Sequence, residues 1–288
     1  MRITLATATG VLELDGAGHT NWMLKGDARV VATRRAIVDD ALVAIDEPHG
    51  AAQIDPTPLC LADSATGVVV GTARARLLTF DAEHGAATPV DSFDEIPSRD
   101  QWYTPWGGPP DTRSLAVDDT GTVFVNVHVG GVWRGDDDGS WTEIVGRDDD
   151  THQVLATGGS IVVAAAVGFG QSNDGRSFRW TTDGLHATYC RAVAVAGDHV
   201  LLTASTGPFS NQGAVYRRRL DSDDAFVKCT SGLPEWFDGN VDTFQLAARG
   251  SDVALGTHDG RVFVSDDAGA SWELLTSGVD PIRGVAVG

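Results

Sequence analysis

The stretch SDDAGASW at Ser265–Trp272 constrains this chain more than any other, because it fits an eight-residue turn, Ser-x-Asp-x-Gly-x-Ser-Trp, that recurs elsewhere in weaker form. Apolar strands flank it, Val262–Val264 before and Trp272–Leu275 after, so the eight residues form a hairpin loop. Ser265 and Asp267 carry short acceptors suited to the loop's own N–H groups, Gly269 supplies the positive φ of a tight return, and Trp272 packs back over the loop. In the same register, Arg134–Trp141 keeps Asp136, Ser140 and Trp141, and Gln171–Phe178 keeps Gly175, Ser177 and Phe178 with Asn173 at the Asp position. Arg219–Phe226 keeps Asp221 and Phe226, with Asp223 at the Gly position. Four copies spaced by about 37 to 48 residues indicate an array of supersecondary units.

A second marker is an apolar residue followed by Ala inside a strand-like run: Val31-Ala32, Leu61-Ala62, Leu115-Ala116, Leu155-Ala156, Val193-Ala194, Leu246-Ala247 and Val285-Ala286. Small Ala suits the innermost strand of a radial array, where units crowd at the axis. The expected fold is therefore all-β: a β-propeller of seven blades, each of four antiparallel strands, with residues 1–288 as a single domain. Ile282–Val287 has too little chain after it to complete a blade, whereas Ile3–Thr7, Val11–Leu14 and Asn21–Leu24 precede the first anchor. The two ends are expected to complete one blade together, removing an exposed sheet edge. Ala28–Asp55 is the shortest unit and lacks the turn motif; without it the ring has six blades. The segment 91–110 reads as a long Pro/Gly/aromatic insertion loop, ordered by Trp102, Tyr103 and Trp106.

These turns resemble the Asp-box, or BNR-repeat, β-propellers, a group that includes sialidases, sortilin-type ectodomains and photosystem II assembly-factor-like proteins. The resemblance covers most of the chain as architecture, and only SDDAGASW carries the whole motif. It implies a propeller without choosing between enzyme and non-enzyme.

Composition narrows the partners. A net charge of −19, from 33 Asp and 7 Glu against 19 Arg and 2 Lys, argues against nucleic acid and anionic membranes. No apolar run is long enough to span a bilayer, and the strand-like N-terminus has no cleavable apolar core, so the expected setting is cytoplasmic and the expected state monomeric. Cys60, Cys190 and Cys229 show no paired spacing and read as reduced thiols.

Two positions before the anchors stand Arg29, Leu59, Arg113, Gln153, Arg191, Phe244 and Arg283; four of these seven are arginine. The loops entering the inner strands add Asp111, His152, His186, Tyr189, Cys190, Glu235, Trp236, Asp238 and Asp242, and the loops between second and third strands add His128 and His258. In a propeller these loops share one face. The functional reading is an anion pocket in which Arg113, Arg191 and Arg283 meet a carboxylate or phosphate, with His128, His152 and His186 beside them and Trp102, Tyr103, Trp106 and Trp236 as walls. The alternative is that each Arg bridges neighbouring blades by pairing with Asp111, Asp242 or a carbonyl.

The resemblance to sialidases implies three arginines on a substrate carboxylate, a Tyr–Glu nucleophile pair and an Asp acid. By position, Arg113, Arg191 and Arg283 stand in for the arginines and Tyr189 and Glu235 for the pair, while the family's Phe-Arg-Ile-Pro segment is missing; paired carboxylates for another glycoside hydrolysis could come from Asp111, Glu235, Asp238 and Asp242. His128, His152, His186 and His258 lack short metal-ligand spacing, so no metal or other cofactor is expected. Three functions stay open: binding of a small anion or acidic partner segment, sialidase-like glycoside hydrolysis or lysis, and a non-catalytic protein-interaction scaffold.

Overall fold

In the computed structural model, which describes residues 1–45, 51–81 and 86–288, seven four-stranded antiparallel sheets are arranged in a ring. Taken in chain order, blade 1 has Ile282–Val287 as its innermost strand and blade 2 has Ala28–Val31. Blades 3 to 7 begin with Pro58–Ser64, Thr112–Val117, Thr151–Thr157, Tyr189–Ala196 and Leu246–Arg249. Each innermost strand touches the next around the ring, and that of blade 7 touches that of blade 1. The fold is a seven-bladed β-propeller.

The ring closes through its ends, as the strand count requires. Ile3–Thr7 pairs antiparallel with Ile282–Val287, Ile3 opposite Val287 and Leu5 opposite Val285. All four of these side chains are buried in one apolar cluster with Leu12, Val262 and Ile282. Blade 2 is a complete sheet, formed with Arg35–Val38, Ala41–Ala44 and Ala52–Gln53, so the count is seven and not six. Segment 91–110 departs from the expected irregular loop. It holds a helical turn at Asp91–Asp94 and a 3-10 turn at Arg99–Gln101, pinned by buried Phe93 against Trp102 and Trp141.

The Ser265–Trp272 turn is closed by its own polar side chains. Ser265 Oγ accepts the Gly269 N–H at 2.9 Å, Asp267 Oδ1 accepts the Ser271 N–H at 2.8 Å, and Trp272 Nε1 donates to the Gly269 carbonyl at 3.1 Å. Bonds from the Ser271 hydroxyl and N–H hold the Asp267 carboxyl down to about 2.

The second copy has a different register from the expected one. Asp174, not Asn173, accepts the N–H groups of Arg176 and Ser177, both at 2.8 Å, while Asn173 takes the Ser160 hydroxyl. Ser172 and Asp174 thus occupy the places of Ser265 and Asp267, in a loop shorter by one residue. At Arg134–Trp141 the turn is tighter still: Asp138 accepts the Ser140 N–H at 3.0 Å within a hairpin closed from Asp136 N–H to Ser140 O. At Arg219–Phe226, Asp221 serves Arg219 and Phe226 fills the core.

Candidate functional site

Three innermost strands are entered through the same five-residue pattern. Asp111-Thr112-Arg113-Ser114-Leu115, Asp150-Thr151-His152-Gln153-Val154 and Asp242-Thr243-Phe244-Gln245-Leu246 align residue by residue. The fourth residue of each reaches the next blade. Ser114 Oγ accepts the Val154 N–H at 3.0 Å, Gln153 Oε1 accepts the Val193 N–H at 3.1 Å, and Gln245 Nε2 donates to the Ile282 carbonyl at 2.6 Å. In the first two strands the third residue is left out of the ladder, because pairing shifts between Thr112 and Ser114 and between Thr151 and Gln153. Such a bulge bends the strand and re-aims the unpaired side chain. Comparable shifts flank Arg29, Leu59 and Arg191.

This alignment corrects blade 5. The residue equivalent to Arg113 is His152, not Gln153, and the equivalent of Leu115 is buried Val154 rather than half-buried Leu155. Gln153 is committed to the blade interface.

Phe244 has the third position in blade 7 and adopts φ 68, a left-handed conformation that is strained for an aromatic residue. It stands on blade 7 yet packs against the clusters holding Val30 and Leu61 of blades 2 and 3 and Leu115 of blade 4. Its ring therefore reaches across the axis to the facing blades.

Near the entry to these strands the structure gathers Arg113, His128, Asp150, His152, Tyr189, Arg191, Asp242 and Thr243. Arg113 Nη1 lies 3.0 Å from His128 Nε2. Arginine only donates, so Nε2 is the acceptor and His128 is neutral there. Burial first, and then the Arg113 cation, pull His128 down to about 3. Burial and the nearby Arg191 cation likewise bring Arg113 to about 10. Among the described residues, no carboxylate lies within ion-pairing distance of Arg113.

Arg191 is engaged differently. Its Nε and Nη2 grip Asp242 at 2.6 and 3.1 Å, and its Nη1 lies 3.3 Å from the Tyr189 hydroxyl. Thr243 Oγ1 donates to the carbonyls of Arg191 and His152, stitching blade 7 to blades 6 and 5. His152 is fully buried, edge-on to the Tyr189 ring, with Nδ1 2.5 Å from the Cys190 carbonyl and Nε2 3.5 Å from Asp150 Oδ2. Burial depresses its pKa, although Asp150 opposes the shift.

The other sequence candidates lie elsewhere or play other parts. Arg283 bonds Asp27 at 2.5 Å and the Ala28 carbonyl at 3.3 Å, bridging blades 1 and 2; Arg29 pairs with Asp27 and Asp40 in the same network. Trp102 is buried against Phe93 and Trp133 and belongs to the core, not to a ligand wall. Trp106 is 71% exposed with its ring edge-on to His128, and Tyr103 is exposed too. His186 bonds the Tyr216 hydroxyl and packs on Trp236, outside the axial group, and Lys228 Nζ sits over Trp236. Asp111 is half-buried, its carboxyl raised by desolvation, and Glu235 is exposed. Asp238, Asp242 and His258 line a cleft of about 530 Å³ with Phe209 and Arg261. Among the described residues, no three His, Cys, Asp or Glu side chains converge as metal ligands.

No family model and no curated protein sequence matches the chain. Solved structures match its fold. The RRP9 WD40 repeats superpose with TM-score 0.66 at 14% identity, over 99% of this chain and 89% of that one. Virginiamycin B lyase from Staphylococcus aureus gives 0.60 at 8% identity, over 90% and 85%. PorZ of Porphyromonas gingivalis gives 0.54 at 17% identity over 77% of this chain, which spans only 28% of the PorZ chain. Identities this low carry architecture and nothing of chemistry. Among the described residues no helix is long and apolar enough to cross a membrane.

Proposed function

We propose that this propeller is a binding module whose axial face takes a carboxylate or phosphate on Arg113, with Trp106 as an apolar wall. One observation carries the reading: Arg113 is a half-buried guanidinium whose only polar side-chain partner among the described residues is a neutral imidazole. Desolvated cations without a counter-charge are costly, and an anionic ligand supplies what is missing. Arg191, already held by Asp242, serves as a supporting wall. The bonds of the Ser265–Trp272 and Ser172–Phe178 turns support the Asp-box resemblance, and three buried, unpaired cysteines fit a cytoplasmic setting. The test is calorimetric titration of wild type and Arg113→Gln with small carboxylates and phosphate esters at fixed salt. Saturable binding to wild type that is lost in the variant supports the module; absence of binding to wild type sinks it.

A second reading rests on Phe209, which is 99% exposed at the rim of the 530 Å³ cleft. A fully exposed Phe on a propeller face suits docking of a protein partner, the scaffold function.

A further inference from the structure

The axial group has a second unmet demand besides the charge of Arg113, and the two together define a ligand. His152 Nδ1 faces the Cys190 carbonyl at 2.5 Å, and a carbonyl only accepts, so Nδ1 carries the hydrogen. In the neutral ring Nε2 is then a bare lone pair. It is buried without a hydrogen-bond partner, and 3.5 Å away stands the Asp150 carboxylate, another acceptor, whose Oδ1 is also buried without a partner. Two acceptors turned toward each other, with no donor between them, call for a donor from a third direction. The gap is too short for a water to sit between them.

Charge balance points the same way. Around Arg113 and Arg191 stand the carboxyl groups of Asp111, Asp150 and Asp242, and both axial histidines are neutral. A compensated site of this kind favours a ligand that carries both signs over a simple anion. We propose that the axial site binds a zwitterion, an α-amino acid with an apolar or aromatic side chain. Its carboxylate meets Arg113, its ammonium pairs with the partly exposed Asp150 carboxylate, and its side chain lies against exposed Trp106, whose ring borders His128. This inference rests on the carboxylate reading of Arg113 and adds the cationic half of the ligand.

Four probes of one shape separate the two halves: phenylalanine, 3-phenyllactate, 3-phenylpropionate and phenethylamine, titrated into the full chain at pH 7. The expected order places phenylalanine first, phenyllactate between, and phenylpropionate about tenfold or more below phenylalanine, because a lost hydrogen bond to a charged group leaves a buried acceptor unpaired. Asp150→Asn is expected to lower phenylalanine affinity about tenfold while leaving phenylpropionate within about threefold, and Arg113→Gln to weaken both acids. Phenylpropionate binding as tightly as phenylalanine, or more tightly, overturns the zwitterion and leaves the carboxylate site standing. Failure of every carboxylate probe overturns both. Should Asp150→Asn not fold, the wild-type series decides alone.

Discussion

Asp242 holds Arg191 through two nearly parallel hydrogen bonds, Nε to Oδ1 at 2.6 Å and Nη2 to Oδ2 at 3.1 Å, and in doing so ties the innermost strand of blade 6 to the loop entering blade 7. The planar fork fits a carboxylate edge, so the pair is specific in geometry as well as charge. Asp242 is partly open to solvent, which limits the energy. Arg191→Ala is expected to lower stability by about 1–2 kcal/mol, or roughly 2–8 °C in Tm, without removing the anion affinity assigned to Arg113. Thermal melts with calorimetry check both halves. An Arg191→Ala protein of unchanged Tm that no longer binds anions would reverse the roles given to the two arginines.

The axial histidines make the fold acid-sensitive. His128 and His152 have folded-state pKa values below the ordinary 6.5, His128 about 3, because burial and the Arg113 cation oppose their charging. Below 6.5 the unfolded chain takes up protons that the folded one refuses, so stability falls as pH drops from about 6.5 toward 3. His128→Gln, which cannot charge, should flatten the slope over that window. Denaturant midpoints at pH 7, 5.5 and 4.5 for both proteins measure it, and equal slopes would show that His128 does not titrate as described.

Much of the ring was legible from residues alone. Seven Val/Leu-Ala anchors, one complete turn motif and a last blade left incomplete by the chain specify seven blades and closure by the termini, since each is a local feature that a strand or turn must satisfy. The axial group was only partly legible. Arg113 and Arg191 share a face because they share a register position, but Arg283 has the same register and is consumed by Asp27 on the next blade. Pairing across blades depends on which acid the neighbouring loop presents, and no periodicity reports that. Asp150 and the crossing of Phe244 were missed, though the thrice-repeated Asp-Thr-x-Ser/Gln was present to mark them. Trp102 looked like a wall because an aromatic in a Pro/Gly segment carries no sign of its burial.

A related signal lies after the fourth strands of blades 5, 6 and 7, where Asp183-Gly184-Leu185, Ser231-Gly232-Leu233 and Ser277-Gly278-Val279 recur with positive φ at each Gly. Ser231 O accepts the Trp272 N–H at 3.0 Å, and a Cβ on Gly232 would overlap the Trp272 carbonyl oxygen. Strain at φ 81 adds to that overlap. Gly232→Ala is expected to destabilise by about 3 kcal/mol or more, whereas Gly278→Ala, with open space around it, carries only the left-handed strain of about 1 kcal/mol. Chemical denaturation of the two variants should show this order; the reverse would mean that the blade 6 to blade 7 linker shifts freely.

The cysteines test the core directly. Cys60, Cys190 and Cys229 are all buried, and desolvation raises each thiol, Cys229 to about 11. Only thiolate reacts, so a colorimetric thiol reagent at pH 8 should find no fast-reacting group in the native protein and all three after denaturation. A fast native thiol would place a breach in blade 3, 6 or the blade 6 to 7 linker.

Phe244 sets two effects against each other. Its ring crosses the axis to blades 2, 3 and 4, so truncation removes packing worth a few kcal/mol, about 2–3 for a side chain that is only partly buried. Its backbone, at φ 68, is held left-handed by the Asp242–Gln245 turn, in which the Gln245 N–H donates to the Asp242 carbonyl at 2.9 Å. Alanine loses the ring and keeps the strain. Glycine loses the ring, relieves the strain, and adds some unfolded-state entropy. Because left-handed strain for an L-residue, about 1–2 kcal/mol, exceeds that entropy, Phe244→Gly is expected to be the more stable variant by about 0.5–1 kcal/mol, opposite to the usual order of Ala over Gly in a strand. Paired denaturant melts decide the backbone question; an alanine variant more stable than the glycine one would mean that the Asp242–Gln245 turn relaxes to negative φ once the ring is gone.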